Sequence, residues 1–222
     1  GFGKRLMPHT KNCPKPMLNI AGRPMLEHII ERAIFSGFRN IVISVFYMPE
    51  VIKEYFKDGA FWNINITYIQ EESPLGTAGA LSLLSKTQSN PIVIINGDVL
   101  TDINFTELLK HHARQKSMAT MVVRNYEIQN PFGVVDTDGI DIVGFTEKPV
   151  HSSNINAGIY VLDPLTLEFL LPNSVCDMPT LFSQVKEANH RTVVFPIHES
   201  WLDVGSPDDF KLANSLVLIP ND

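Results

Sequence analysis

The sequence predicts an α/β fold with a mostly parallel sheet, and two observations lead to this prediction. Short runs of β-branched residues alternate with longer segments whose apolar residues recur at helical spacing. After about residue 125 the alternation gives way to strands separated only by turns, which is typical of antiparallel hairpins. We find no linker, repeat or low-complexity segment in the 222 residues. We therefore expect one domain, residues 1–222, whose later strands form a lobe on the same sheet.

The first half of the chain contains the alternating elements. Pro24 suits a first helical position, and helical spacing of apolar residues follows until Ser36 and Gly37 end the helix. Uncharged β-branched runs predict buried strands, as in parallel sheets. The predicted strands cover 41–45, 92–95 and 119–123. The other predicted helices cover 50–56, 78–84 and about 105–114.

The second half predicts hairpins and then two more helices. Asp138-Gly139 is a typical hairpin turn. Ser206 is a good helix N-cap and Pro207 a good first-turn residue, and the acidic residues that follow suit the helix dipole. The predicted strands cover 132–135, 140–145 and 158–162, and the predicted helices cover 179–188 and 206–216.

The composition of the chain argues against nucleic-acid binding through overall charge and against a membrane-spanning protein. The chain has 24 acidic and 18 basic residues, a formal charge of −6, which argues against binding nucleic acid through overall charge. A local basic site for a phosphorylated small molecule remains compatible with this balance. The two cysteines form no disulfide framework and show no metal-ligand spacing, so we expect a cytoplasmic location. No apolar stretch reaches the roughly 18–20 residues of a membrane helix, so no membrane partner is expected.

The first candidate site is the start of the chain. Gly1 and Gly3 are spaced so that backbone N–H groups can approach a phosphate, and Arg5 and Lys15 add positive charge. The alternative is a flexible terminal loop with solvated cations. Two prolines flank Lys15 and stiffen the backbone around it, which favours a functional role.

The second candidate is the segment 71–80, where a Pro-Leu-Gly turn feeds a helix start made of small residues. Small residues allow a flat ligand or a phosphate to approach the helix N-terminus. They equally allow tight packing of the helix on the sheet, and the sequence alone leaves both interpretations open.

Two aspartates are candidate metal ligands. Asp98 follows Gly97 directly after a predicted strand, where ligands of parallel sheets bind, and its hard carboxylate suits Mg²⁺. Asp203 lies between apolar neighbours just before a capped helix, and a buried carboxylate needs a partner or a metal. A turn or helix cap is the alternative for Asp98.

Polar residues at the end of the predicted hairpin form the last candidate site. Glu147 and Lys148 follow a strand, and Asn156 opens the next. These residue types suit sugar hydroxyls and a phosphate, although a polar hairpin end is the simpler interpretation.

Taken in order, these segments resemble the sugar-1-phosphate nucleotidyltransferases over nearly the whole chain. The resemblance rests on Gly-x-Gly-x-Arg-Leu-x-Pro-x-Thr, Pro-Lys-Pro-Met-Leu, Pro-Leu-Gly-Thr-Ala-Gly-Ala, Gly-Asp, Glu-Lys-Pro, Asn-Ala-Gly-Ile-Tyr and Trp-x-Asp-Val-Gly. The chain looks most similar to mannose-1-phosphate guanylyltransferases and to enzymes that make GDP-activated amino sugars.

The resemblance implies a Rossmann-like three-layer α/β/α sandwich with a mixed, mainly parallel sheet and a small β-rich sugar-binding lobe. The implied reaction joins an NTP, with GTP favoured, to a sugar 1-phosphate and releases pyrophosphate, with Mg²⁺ as cofactor. The implied catalytic residues are Arg5, Lys15 and Asp98. The implied nucleotide-binding residues are Gly1, Gly3, Gln70, Gly76 and Thr77. The implied sugar-phosphate-binding residues are Gly133, Glu147, Lys148 and Asn156, and the implied metal ligands are Asp98 and Asp203.

Departures and alternatives remain at this point. The strand and first glycine that precede Gly1 in the family are missing from the sequence, so we expect an upstream apolar strand, with an attached regulatory module as one option. Lys4 replaces a small hydroxyl residue that is common in relatives.

Alternatives to a guanylyltransferase are a uridylyl- or thymidylyl-transferring homologue and a catalytically silent regulatory protein that binds nucleotide sugars. A dinucleotide-binding oxidoreductase is disfavoured because no third glycine follows in a helix. The base, the sugar and any homo-oligomer stay open.

Overall fold

The computed structural model describes residues 3–85 and 88–217, and it confirms the α/β class. The six described α-helices are α1 (Met25–Phe35), α2 (Pro49–Phe56), α3 (Gly76–Gly79), α4 (Phe105–Gln115), α5 (Met178–Glu187) and α6 (Pro207–Val217). The described strands are β1 (Asn19–Ile20), β2 (Arg23–Pro24), β3 (Asn40–Val45), β4 (Asn65–Gln70), β5 (Ile92–Ile95), β6 (Val99–Thr101), β7 (Ala119–Gln129), β8 (Val134–Asp138), β9 (Asp141–Thr146), β10 (Val150–Leu162), β11 (Thr192–Ile197) and β12 (Trp201–Asp203).

The largest sheet is mixed, as the sequence predicts. Its four strands follow the order β11-β7-β10-β5. Strands β7 and β11 are parallel, and β10 is antiparallel to its neighbours β7 and β5. Three of these four strands therefore run in one direction. Strands β3 and β4 form a second parallel pair.

Strand β10 explains why helices cover both faces of this sheet. Successive residues of a strand point to opposite faces. Ile159 and Val161 are buried in a cluster with residues of α4, whereas Tyr160 and Leu162 are buried in a cluster with residues of α5. The strand is apolar on both faces, so it requires a helix on each side, and the three-layer arrangement follows.

The later strands form the expected antiparallel lobe. Strands β8 and β9 pair as a hairpin whose turn contains Gly139. Strands β7 and β10 extend beyond the sheet to carry this hairpin, and Val150 pairs with Gln129 near its base. Both strands are longer than the predicted ones, because their exposed polar ends continue a ladder that began in the core.

Two predicted features need correction. The helix predicted over 78–84 is a single α-helical turn, α3, continued by the 3₁₀ turn Ala80–Leu83. Strands β4 and β11 were not predicted from the sequence, although both lie in parallel pairs.

The N-cap prediction at Ser206 is confirmed: Ser206 Oγ accepts from the backbone N–H of Asp209, and Asp209 Oδ2 accepts from the backbone N–H of Ser206.

A cavity of about 760 Å³ lies between β3 and β5. Among the described strands, β3 pairs only with β4, and β5 pairs only with β10. The β3–β4 pair and the four-stranded sheet are therefore separate ladders. None of the described helices combines the length and the apolar character needed to cross a bilayer.

Candidate active site

Pairing of β6 with β12 brings the two predicted metal ligands together. Asp203 lies opposite Val99 in this ladder, and the backbone N–H of Val204 donates to the carbonyl of Asp98 at 3.0 Å. Asp98 follows β5 and precedes β6, so it lies beyond the carboxyl end of a sheet strand. The pairing therefore builds a site with two carboxylates where α/β sheets bind their ligands.

Lys15 lies against these carboxylates. Its Nζ is 2.5 Å from Asp98 Oδ2 and 4.0 Å from Asp203 Oδ1, and its side chain is 11% exposed. Lys15 opens a short 3₁₀ helix, Lys15–Met17, whose Met17 is buried in the core. The buried end of this helix and the flanking prolines hold the cation in place.

Arg5 enters the same site from the start of the chain. It belongs to the 3₁₀ helix Lys4–Leu6, which fully buried Leu6 anchors. A Cβ placed on Gly205 would lie 3.6 Å from Arg5 Nη1 and 3.7 Å from Asp203 Oδ1, so Gly205 leaves room beside both groups. The predicted Gly1 lies outside the described residues.

Gly3 has the left-handed backbone conformation that its position requires. Its φ is +60°, and a Cβ there would lie 2.8 Å from Thr10 Cγ2. Thr10, which is fully buried, donates from Oγ1 to the Gly3 carbonyl at 2.9 Å. The loop therefore has a fixed shape at Gly3 rather than that of a free terminus.

The electrostatics of the site favour an added cation. The expectation of a buried carboxylate at Asp203 is wrong, because its side chain is 48% exposed. Partial burial, followed by the neighbouring Asp98 carboxylate, still raises the pKa of Asp203, and Lys15 and Arg5 oppose this rise. Two close carboxylates supply the hard oxygen ligands that Mg²⁺ prefers. Within residues 3–85 and 88–217, no cluster of three or more His, Cys, Asp or Glu could hold a metal on its own. The donor set thus fits an ion that shares its remaining positions with phosphate and water.

Arg5, Lys15 and Asp98 line a cleft of about 400 Å³, called the phosphate cleft below. Asp203 is not among its lining residues but lies beside it, 4.0 Å from Lys15 Nζ. The lining residues of the cleft are Gly3, Lys4, Arg5, Leu6, Lys15, Pro16, Thr77, Asn96, Gly97, Asp98 and Gly205. Lys4 adds a further cation at the position where the sequence departs from the family pattern. The charged residues that line the cleft are thus three cations, Lys4, Arg5 and Lys15, and one carboxylate, Asp98.

Thr77 and Asp177 cap each other's helices across the edge of this cleft. Asp177 precedes α5, but its Oδ1 accepts from the backbone N–H of Thr77 at 3.1 Å instead of capping its own helix. In return, Thr77 Oγ1 accepts from the backbone N–H of Met178 at 2.8 Å. The Cys176 carbonyl accepts from the N–H groups of Ala78 and Gly79, each at 2.9 Å.

The small residues of α3 therefore serve packing, one of the two interpretations left open by the sequence. A Cβ on Gly76, whose φ is +78°, would lie 2.6 Å from the Cys176 carbonyl oxygen. A Cβ on Gly79 would lie 2.5 Å from the Ser174 carbonyl oxygen. The N–H groups of Thr77, Ala78 and Gly79 already have partners, so α3 does not present these three to a phosphate.

Gln70, another predicted nucleotide-binding residue, lies outside the phosphate cleft. Gln70 ends β4, and its Oε1 accepts from Lys53 Nζ at 2.7 Å. The structure thus brings together Gly3, Arg5, Lys15, Thr77, Asp98 and Asp203, with Gly76 adjoining Thr77, but not Gln70.

The predicted sugar residues fall into two groups. Gly133 and Glu147 are neighbours in the hairpin lobe, where a Cβ on Gly133 would lie 3.0 Å from Glu147 Oε2. Lys148 follows with a φ of +44° and an exposed side chain. None of these three lines the phosphate cleft.

Asn156 lies between the lobe and the phosphate cleft. Its Nδ2 donates to the Tyr160 hydroxyl at 2.9 Å, and its Oδ1 accepts from the backbone N–H of Gly158 at 3.0 Å. Gly158 accepts in turn from the backbone N–H of Asn96, a cleft residue, at 2.9 Å. The β-bulge after Asn156 produces this link.

Sequence reasoning missed Asp177 and Asn96. Asp177 carries a readable signal, because an aspartate two residues before a proline marks a helix start. The sequence could not show that its carboxylate caps a different helix. Asn96 lies between a strand and Gly97, and only the contact with Gly158 distinguishes it from an ordinary loop residue.

The fold and the cleft define a class: an α/β protein with cations and two neighbouring carboxylates at the carboxyl end of a sheet, an arrangement that suits phosphate ligands. Comparison with known proteins identifies the family. The nucleotidyl transferase family model matches residues 1–218. The chain belongs to this family.

Curated relatives in the family are similar over almost the whole chain. Mannose-1-phosphate guanyltransferases from Debaryomyces hansenii and Yarrowia lipolytica are 35% and 36% identical to it, and each alignment covers 98% of the chain. The same alignments cover 62% of each relative. The chain therefore spans about three fifths of the length of these proteins.

Solved structures share the fold. A Bacillus anthracis chain described as a glucose-1-phosphate thymidylyltransferase, solved with a sucrose, superposes with a TM-score of 0.78 at 23% identity. The superposition covers 100% of this chain and 94% of that one. HddC from Yersinia pseudotuberculosis, complexed with GMP-PN, gives a TM-score of 0.74 at 22% identity over 98% of this chain and 96% of its own. These likenesses confirm the Rossmann-like fold predicted from the sequence.

Proposed function

We propose that the chain transfers a nucleotidyl group from an NTP, with GTP favoured, to a sugar 1-phosphate. The observation that carries this proposal is that Arg5, Lys15 and Asp98 line one cleft and Asp203 lies beside Lys15. Two cations next to two carboxylates suit a reaction between two polyanions that need charge neutralisation and a metal ion. The similarity to mannose-1-phosphate guanyltransferases supports the same reaction class.

The proposed step is an in-line displacement at the α-phosphorus. A phosphate oxygen of the sugar 1-phosphate forms the new bond to this phosphorus, while the bond to the bridging oxygen of the β-phosphate breaks and pyrophosphate leaves. Arg5 and Lys15 would hold the triphosphate and stabilise the charge that develops on the transferred phosphoryl oxygens. Gly3 would allow the backbone to approach the phosphates, and Thr77 would line the nucleotide side.

Asp98 and Asp203 would hold Mg²⁺ through their carboxylates. When bound, this ion would neutralise phosphate charge and act as a Lewis acid. In that state Lys15, now 2.5 Å from Asp98 Oδ2, would share its charge between the carboxylate and the substrate phosphate. We expect Lys15 to orient Asp98 as well as to bind substrate.

The hairpin lobe would bind the sugar. Glu147 would accept hydrogen bonds from sugar hydroxyls, and Asn156 would donate to them or accept from them. Gly133 would let the sugar pack on the backbone. Lys148 would pair with the sugar phosphate. Gln70 and Gly76 would contribute to the base side of the site.

A cytoplasmic site of action is part of the proposal. Cys13 and Cys176 are both free thiols. Reduced cysteines suit the compartment where NTPs and sugar phosphates are made.

Pyrophosphate release tests the proposed reaction. The four common NTPs are each combined with a panel of sugar 1-phosphates in the presence of Mg²⁺. We expect turnover with GTP and at least one hexose 1-phosphate, and no turnover when either substrate is omitted. A preference above tenfold in kcat/KM for UTP or dTTP, about 1.4 kcal/mol, would contradict the choice of base. Substrate binding by calorimetry without turnover in any combination would instead support a silent binding protein.

A further inference from the structure

The Asn156 side chain is held at two points by residues of its own strand. The backbone N–H of Gly158 donates to Asn156 Oδ1 at 3.0 Å, and Asn156 Nδ2 donates to the Tyr160 hydroxyl at 2.9 Å. A backbone N–H can only donate, so the side-chain atom that it contacts must be the amide oxygen. The atom that faces Tyr160 is therefore the amide nitrogen, and the hydroxyl accepts from it. The two contacts together define the orientation of the amide.

The β-bulge in β10 makes the contact with Tyr160 possible. The register with β7 shifts between Asn156 and Tyr160, whose partners on β7 are two residues apart. These partners are Val123 and Met121. In a regular strand, side chains four residues apart stand about 13 Å from each other along the strand. The bulge, which contains Gly158 with a φ of +73°, shortens this separation and brings the two side chains together.

Tyr160 is itself fixed in the core. Its side chain is buried, and it lies on β10 between β7 and β5. Its ring packs against Phe182 of α5, with 5.9 Å between the ring centroids. Asn156, in contrast, is exposed. A buried phenol therefore holds an exposed polar side chain, which would otherwise sample several rotamers.

The bulge is also attached to the phosphate cleft. The Gly158 carbonyl accepts from the backbone N–H of Asn96, which lines that cleft, at 2.9 Å. A Cβ on Gly158 would lie 2.7 Å from Asn96 Nδ2, so the two segments are in close contact. Asn156 is thus fixed relative to the cleft as well as relative to the core.

The held amide keeps a defined capacity to bind a ligand. An asparagine oxygen has two lone pairs and its nitrogen has two hydrogens. The contacts with Gly158 and Tyr160 use one of each, so one acceptor and one donor remain. A sugar hydroxyl can both donate and accept, and it therefore suits both remaining positions.

We propose that Tyr160 is a positioning residue for Asn156: its hydroxyl holds the amide in the orientation that binds a hydroxyl of the sugar 1-phosphate. Tyr160 acts through Asn156 and not through its own contact with the sugar. The inference rests on the proposed function, because that function assigns Asn156 to the sugar. A side chain that is already ordered loses less entropy on binding, so removal of the Tyr160 hydroxyl weakens sugar binding.

Tyr160→Phe tests the proposal because it removes one hydroxyl and keeps the packed ring. Tyr68→Phe is the matched control, since the Tyr68 hydroxyl donates to the Lys57 carbonyl at 2.6 Å and Tyr68 does not line the phosphate cleft. The KM values for GTP and mannose 1-phosphate are measured for both variants, for Asn156→Ala and for the double variant with Tyr160→Phe. Calorimetry gives the dissociation constant of mannose 1-phosphate without turnover.

We expect Tyr160→Phe to raise the KM and the dissociation constant for mannose 1-phosphate about threefold to tenfold, the effect of one lost hydrogen bond. The KM for GTP should change less than about twofold. In the Asn156→Ala background, Tyr160→Phe should have no further effect, because the residue that it positions is gone. A full effect in that background would overturn the proposal, as would equal increases in both KM values or an unchanged value for mannose 1-phosphate.

Nuclear magnetic resonance of the Asn156 side chain tests the contact without catalysis. The side-chain amide signals of Asn156 are assigned by their loss in Asn156→Ala. We expect Tyr160→Phe, but not Tyr68→Phe, to shift these signals and to speed the exchange of their hydrogens with water. Unchanged signals in Tyr160→Phe would overturn the positioning role whatever the kinetic result. Absence of mannose 1-phosphate binding to the unmodified chain would instead contradict the proposed function.

Discussion

Replacing Gly76 with alanine tests the contact between α3 and the segment before α5. A left-handed φ of +78° costs a non-glycine residue about 1–2 kcal/mol. The added Cβ would also lie 2.6 Å from the Cys176 carbonyl oxygen and 2.7 Å from Asp177 Oδ1. Relieving this clash by moving the backbone costs roughly 1–3 kcal/mol more. We therefore expect Gly76→Ala to lower the free energy of unfolding by about 2–5 kcal/mol.

Gly22→Ala is the matched control. Gly22 has a similar φ of +84°, but a Cβ there would meet nothing within 4 Å. Only the backbone cost, about 1–2 kcal/mol, should appear. Urea unfolding of both variants gives the difference, and the KM for GTP reports on the site. We expect Gly76→Ala alone to raise this KM, because Thr77 lines the phosphate cleft. Equal losses of stability in the two variants would refute the clash and the rigid contact inferred from it.

Three further predictions concern the site and the core. Asp98→Asn should lower kcat about a hundredfold or more, because it removes a metal ligand. The control Asp102→Asn lies outside the cleft and should leave kcat unchanged. Near-normal turnover of Asp98→Asn at saturating Mg²⁺ would reject the metal role. Lys148→Ala should raise the KM for sugar 1-phosphate about tenfold, because a charged hydrogen bond is lost, and should change the KM for GTP little. Lys116→Ala is the control, because Lys116 has a similar φ of +48°. An unchanged KM for sugar 1-phosphate in Lys148→Ala would contradict the assignment. Burial lowers the pKa of His112, so the unfolded chain binds this proton more tightly. Stability should be full above pH ~6.5 and fall as the pH drops below it; His112→Gln should flatten this slope, and an unchanged slope would exclude His112 as its source.

The fold class was predictable because its signals are local. Uncharged β-branched runs and helical spacing identified β3, β5, α1, α2 and α4 close to their observed bounds. Strand β11 was not predicted because Pro196 interrupts its apolar run, and proline usually argues against a strand. It is tolerated because β11 lies at the edge of its sheet. Strand β4 starts with the alternation of polar and apolar residues that is typical of a half-buried strand, so the sequence carried a signal for it that the prediction missed.

The candidate site was predictable in its chemistry but not in its assembly. Lys15, Asp98 and Asp203 could each be singled out by residue type and by neighbouring prolines, glycines or strand ends. Their contact depends on the β6–β12 ladder, formed by two three-residue strands far apart in sequence. Such short strands carry no periodicity to read. Only the resemblance to a family indicated that the two aspartates belong together.

The reciprocal capping of α3 and α5 changes how the phosphate cleft can bind an anion. A glycine-rich helix start usually offers free N–H groups to phosphate. Here Asp177 Oδ1 and the Cys176 carbonyl take the N–H groups of Thr77, Ala78 and Gly79. The proposed binding of phosphate would therefore rely on Arg5, Lys15 and the loop at Gly3, which line the same cleft, and not on the N–H groups of α3.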